Sequence, residues 1–163
     1  MSKRPEADQE WADAATTIPG MLYWTSGLAP ADESWDPFDP SRGLTRPSPV
    51  GIPDFADTND VRAAIADFGK TGFHGPLNYY RAIDPFFTMV GAFAGATIRQ
   101  PSFFMIGAVD GLTKVRPITE KALRPGLPDL RGFVTLSGVG HWPQLEATDA
   151  VNEALLGFLT ETR

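Results

Sequence analysis

The sequence has no cysteine and only two histidines. The first absence excludes a disulfide framework, thiolate metal sites and a cysteine nucleophile, and it suits a cytoplasmic protein. The second leaves little from which to build an imidazole metal centre, so neither a metal nor an organic cofactor is expected. Positive charge is scarce too. Fourteen Lys and Arg stand against 20 Asp and Glu, a formal net charge of −6. A nucleic-acid partner is therefore not expected, because phosphate binding needs clustered cations. No apolar run approaches the ~20 residues that cross a bilayer. The stretch Met1-Ser2-Lys3-Arg4-Pro5-Glu6 lacks the apolar core that follows the basic pair of a signal peptide. What remains is an ordinary globular balance. The 163 residues are 42% hydrophobic and 21% charged, enough to bury a core.

Proline and glycine organise the chain. Eight of the 15 prolines precede residue 54, six of them between Pro30 and Pro53. Residues 27–57 are expected to form one long irregular connection, a lid or binding loop packed through Trp35, Phe38, Leu44, Val50 and Phe55. Ahead of it, Pro5 to Thr17 favours helix, with Trp11, Ala14, Ala15 and Ile18 as a thin apolar stripe. Met21-Leu22-Tyr23-Trp24 either extends that helix or starts another after Pro19-Gly20. Residues 58–71 predict a helix capped near Asp57 and ended by Gly69 or Gly72. Pro76 suits the first turn of a further helix, and Asp84-Pro85 opens the next.

After Pro101 the texture changes. Ser102–Ala108 is a short apolar run typical of a buried parallel strand. A polar turn and a helical stretch around Pro117–Leu123 follow. Arg131–Leu136 is a second strand candidate, Ser137–Pro143 a loop, and 149–160 a last helix. Residues 102–160 thus read β-α-β-α, part of a doubly wound sheet. In such sheets functional groups sit just past the carboxyl ends of the strands. Asp110 follows the first strand and His141 the second. An Asp within reach of an imidazole N–H fixes its tautomer and stabilises its charged form. Taken singly, the Asp is more often a turn former and the His a packed residue beside Trp142.

Three motifs carry a resemblance. Gly72-Phe73-His74-Gly75-Pro76-Leu77-Asn78-Tyr79-Tyr80-Arg81 resembles the cap motif of α/β-hydrolase-fold epoxide hydrolases. Gly138-Val139-Gly140-His141-Trp142-Pro143-Gln144, with Glu146 after it, is similar to their catalytic-histidine loop. Ile106-Gly107-Ala108-Val109-Asp110 resembles their acid-bearing strand end. The resemblance runs from about Met21 to Phe158 and includes Trp24-Thr25-Ser26-Gly27 and the proline-rich segment. It implies the C-terminal portion of an α/β-hydrolase fold, two parallel strands with flanking helices over residues 101–163. A helical cap or lid over residues 1–100 precedes it. It also implies a two-step hydrolysis of an epoxide, and the apolar residues of the 27–57 loop suggest a small lipophilic one. An Asp nucleophile forms an alkyl-enzyme ester, cap tyrosines stabilise the opening oxirane, and a His–Asp pair activates water. On this chain Tyr80 matches a ring-opening tyrosine, Asp110 the orienting acid and His141 the base. Tyr79, Phe73 and Trp142 fall at the substrate pocket, with packing as the alternative for Tyr79.

Parts of the pattern are not in the sequence. There is no H-G-x-P oxyanion loop and no H-D-W-G nucleophile turn; His74-Gly75-Pro76 has its proline one place too early. Among residues 1–22 the only aromatic side chain is Trp11, which has no hydroxyl to serve as a second cap tyrosine. The chain alone is therefore expected to have at most trace activity. Catalysis would need a front-half polypeptide supplied to it, and the sheet edge left open invites pairing or self-association. A non-catalytic binding module is the alternative. A haloalkane dehalogenase-like hydrolase is a second, disfavoured because halide binding needs Trp or Asn donors rather than tyrosine.

Overall fold

The structure, a computed structural model, describes residues 6–162; the basic stretch at residues 1–5 lies outside them. The chain divides into two compact units. The first comprises residues up to 24 with residues 38–94, the second residues 25–37 with those from 95 onward. The sequence places everything before residue 100 in one cap region, whereas residues 25–37 pack with the second unit. The backbone of Thr25 and Ser26 lies directly against Gly140 there.

In the first unit, α1 (Ala7–Glu10) and α2 (Ala14–Thr25) replace the single helix that composition suggests. Asp13 is the reason. Its Oδ1 accepts from the amides of Ala15 (3.1 Å) and Thr16 (3.3 Å), and its Oδ2 accepts from the Thr16 hydroxyl (2.6 Å). That is an N-cap, so a new helix starts there. α2 then runs straight through Pro19. Tertiary packing overrides the local cost: Ile18, Leu22, Tyr23 and Trp24 are all buried. Gly20 is needed where it is, because a Cβ would collide with the carbonyl of Arg46. Trp24 Nε1 donates to the carbonyls of Arg46 (3.2 Å) and Pro47 (3.1 Å), and the Arg46 guanidinium stacks over its ring.

Residues 38–57, the larger part of the irregular connection expected over 27–57, hold one 3₁₀ turn at Pro40–Arg42. α3 (Thr58–Thr71) follows; Asp57 caps its first turn and Gly72, at φ 66°, ends it. α4 (His74–Arg81) and α5 (Ile83–Val90) complete the unit. Leu77 anchors α4 at 1% exposure, and Asp8 ties it to α1 through Arg81 Nη2 (2.5 Å) and His74 Nδ1 (3.1 Å). By contrast, α5 shows Phe86, Phe87 and Met89 to solvent.

The second unit holds a two-stranded parallel sheet, β1 (Ser102–Gly107) and β2 (Leu130–Leu136), in register from Phe103↔Gly132 to Gly107↔Leu136. The crossover contains a 3₁₀ turn at Gly111–Lys114 and the short helix α6 (Glu120–Leu123). Beyond β2 come α7 (Pro143–Glu146), which starts at the last residue of the loop expected over Ser137–Pro143, and α8 (Thr148–Glu161). Phe158 of α8 stacks on Phe103, and Phe104 on Phe133. Among the described residues no helix is long and apolar enough to cross a membrane.

Candidate active site

The pairing of β1 with β2 decides the site. Two parallel strands in register end side by side, so the loops that leave them emerge together. Asp110 leaves β1 in extended conformation and caps the following 3₁₀ turn, Oδ1 accepting from the Leu112 amide at 2.9 Å. That fixes its carboxylate and leaves Oδ2 to take a second donor. Oδ2 lies 3.0 Å from Nδ1 of His141. The carboxylate makes Nδ1 the protonated nitrogen, which leaves Nε2 able to accept a proton.

The loop bearing His141 is held on both sides. Its own amide donates to the carbonyl of Thr25 at 2.9 Å. Trp142 packs edge-on against the imidazole and donates from Nε1 to the Thr25 hydroxyl at 2.6 Å. Glu146 Oε2 accepts from the amides of Gly27 (2.7 Å) and Gly140 (2.9 Å), while Oε1 accepts from that of Trp142 (2.9 Å). Any side chain at Gly140 would meet the backbone of Thr25 and Ser26.

The electrostatics follow. Burial alone would raise the Asp110 pKa. The hydrogen bonds from His141 and the Leu112 amide outweigh it, and the carboxyl titrates below its ordinary range. The same bond to Asp110 lifts the imidazole of His141 above the usual histidine value. Burial opposes that rise, and the charges of Asp110 and Glu146 add to it. Asp110 is 8% exposed, whereas the His141 side chain keeps 37% of its surface. A buried acid behind a solvent-reachable imidazole is the arrangement by which a His–Asp pair takes a proton from water.

The remaining residues named from sequence lie in the first unit. Tyr79 and Tyr80 sit side by side on α4, rings edge to face at 5.6 Å, 76% and 46% exposed. Phe73 is buried between Trp11 and Phe68, where it seats the start of α4. The glutamate clamp was not legible from spacing alone, because two of its three donors are backbone amides next to His141 and the third is 119 residues away. Among the described residues, no cluster of three His, Cys, Asp or Glu side chains is placed to hold a metal ion.

An acid and a histidine at the ends of adjacent parallel strands define the closing portion of an α/β-hydrolase fold. Comparison with known proteins narrows this. No protein-family model matches the chain. An epoxide hydrolase of Caballeronia sordidicola is 53% identical over 156 residues, covering 96% of this chain and 47% of that protein. Epoxide hydrolase A of Mycobacterium tuberculosis is 38% identical over 115 residues, 70% of this chain and 35% of its own length. The crystal structure of epoxide hydrolase A from Mycobacterium thermoresistibile superposes with a TM-score of 0.81 at 32% identity, covering 99% of this chain and 51% of its own. An epoxide hydrolase from an endophytic Streptomyces gives 0.81 at 28% identity, over 98% and 50%. The chain has the α/β-hydrolase fold of these epoxide hydrolases and is similar to them in sequence, and it spans at most about half their length.

Proposed function

We propose that this chain carries the water-activating half of an epoxide hydrolase, together with one oxirane-polarising tyrosine. The observation that supports it best is the 3.0 Å contact between His141 Nδ1 and Asp110 Oδ2 at the ends of neighbouring parallel strands. In this reading a carboxylate nucleophile comes from polypeptide outside these residues. It attacks an oxirane carbon, the C–O ring bond breaks, and an ester forms. Tyr80 donates to the oxygen on which charge develops, stabilising the transition state as an oxyanion donor does. His141 Nε2 then takes a proton from water, the hydroxide attacks the ester carbonyl, and the diol leaves as the carboxylate is restored. The proton held by His141 replaces, through solvent, the one that the alkoxide takes up. Asp110 keeps the imidazole oriented and stabilises its charged form throughout.

In this reading Trp142 borders the substrate beside His141, while in the first unit Tyr79 stays a cap residue next to Tyr80 and Phe73 seats the start of α4. The apolar character of the 27–57 segment favours a small lipophilic epoxide. The completing polypeptide pairs along the open edge of the two-stranded sheet, with self-association through that edge as the competing use. A chain free of cysteine suits a cytoplasmic setting. The test joins this chain to the segment of a related epoxide hydrolase that it does not cover. Epoxides and haloalkanes are then offered side by side. Diol release from epoxides supports the proposal; halide release without diol would replace it with the dehalogenase reading. No turnover of either, in a folded fusion, would favour the binding-module reading.

A further inference from the structure

We infer that Glu146 is the positioning residue for His141, its carboxylate gripping the backbone amides on both sides of the histidine and anchoring them to the turn at Gly27. The geometry is unusual in its economy. Oε1 takes the Trp142 amide at 2.9 Å, and Oε2 takes the Gly140 amide at 2.9 Å. The residue between those two amides is His141. The third donor, Gly27 N–H at 2.7 Å, belongs to a segment distant in sequence. One side chain therefore fixes the backbone from which the imidazole projects, and fixes it against a second strand of chain. Bonds from amides to a charged acceptor are stronger than neutral ones and hold direction as well as distance. α7 itself is a single turn, too short to fix the loop by its own ladder.

The charge matters beyond the fastening. Two carboxylates face His141, Asp110 through a direct hydrogen bond and Glu146 through space, and both favour the imidazolium. Glu146 thus holds the base in place and helps set the pH at which it becomes free to accept a proton. The catalytic meaning of this rests on the reading of His141 as the base. The positioning itself does not, and it is measured without substrate.

The test is histidine NMR on the full 163-residue chain. The sequence has only two histidines, and His74 lies in the other unit, so it is an internal control. Glu146→Gln keeps the shape of the side chain but removes its charge and at least one acceptor. The His141 pKa is expected to fall, because the charge of Glu146 no longer favours the imidazolium. Thr25→Val loosens the same seam without changing charge, by removing the hydroxyl that Trp142 bonds. It should lower stability and leave the His141 pKa where it was. The inference is overturned if Glu146→Gln leaves His141 unmoved, or if Thr25→Val moves it equally. Should Glu146→Gln not fold, the unsubstituted chain decides. The amide protons of Gly27, Gly140 and Trp142 should shift together, at one midpoint, as acid protonates a single carboxylate. Three separate midpoints, or none, would contradict the clamp. Activity of the fusion plays no part, so loss of the base assignment and loss of this inference remain distinguishable.

Discussion

Within the second unit the loop residues around the Asp110–His141 pair are better buried than the middle of the sheet from which the loops hang. Asp110, Gly111, Val139 and Gly140 are buried. Phe103 to Met105 on β1 and Phe133 to Val134 on β2 are only half-buried, and Leu155, Leu156 and Leu159 on α8 face solvent. The contrast shows where the precision of the site originates. Two strands suffice to bring two loop starts together. The orientation of the histidine then comes from short hydrogen bonds to Asp110, Thr25 and Glu146, not from the extent of the sheet. The half-buried faces are surface on which further polypeptide could gain burial.

The predictions that break this comparison run from the loops outward. In the fusion enzyme, replacing His141 with Gln should slow ester hydrolysis by about 10²–10⁴-fold while leaving ester formation intact. Rapid-quench kinetics would separate the two steps. Tyr80→Phe should instead slow ester formation, by about 10²-fold, the size typical of losing one oxyanion donor; an unchanged single-turnover rate would remove Tyr80 from the mechanism. For stability, Leu77→Ala should cost about 2–5 kcal/mol in denaturant unfolding, because the side chain is 1% exposed and its cavity cannot close freely. Leu156→Ser, at a position 63% exposed, should stay within about 0.5 kcal/mol. A large loss at Leu156 would mean that the exposed face of α8 is already covered in solution.

The pH dependence sharpens the same contrast. Asp110 has a lowered pKa, so its contribution to stability is present above the unfolded value of about 3.9 and is lost as pH falls through the lower folded one. His141 has a raised pKa, so its contribution is full below about 6.5 and is lost as pH rises through the folded value. The pair therefore stabilises most between roughly pH 4 and 6.5. Unfolding free energies measured across that window should show the maximum in the parent and a flatter profile in Asp110→Asn. In the fusion enzyme, with His141 as the proposed base, activity should have the opposite slope. The base works when unprotonated, so the rate should climb with pH through a midpoint above about 6.5.

Much of this was legible in the residues. The apolar run at 102–108 and the pattern at 131–136 announced strands, found at Ser102–Gly107 and Leu130–Leu136, and a single crossover between them made a parallel pair the natural outcome. Asp57 and Gly72 marked both ends of α3 because capping chemistry is local. What the sequence concealed was nonlocal. The break at Trp11–Asp13 depends on a side-chain cap inside a helix-favouring stretch, and helix through Pro19 depends on burial of its neighbours. The membership of residues 25–37 in the second unit depends on backbone contacts with Gly140, more than 100 residues away. Asp110 and His141 were visible as strand-end residues, while their supports, Thr25 and the carboxylate of Glu146, act through backbone amides and carbonyls that leave no signature in side-chain spacing.

The central claim is that His141, oriented by Asp110, activates the water that hydrolyses the alkyl-enzyme ester and releases the diol. The most direct measurement is intact-protein mass spectrometry of the His141→Gln fusion enzyme mixed with an epoxide. The account predicts an adduct with the mass of the added epoxide that persists while diol release is slow. Diol released at the parental rate with no adduct at any time would contradict it.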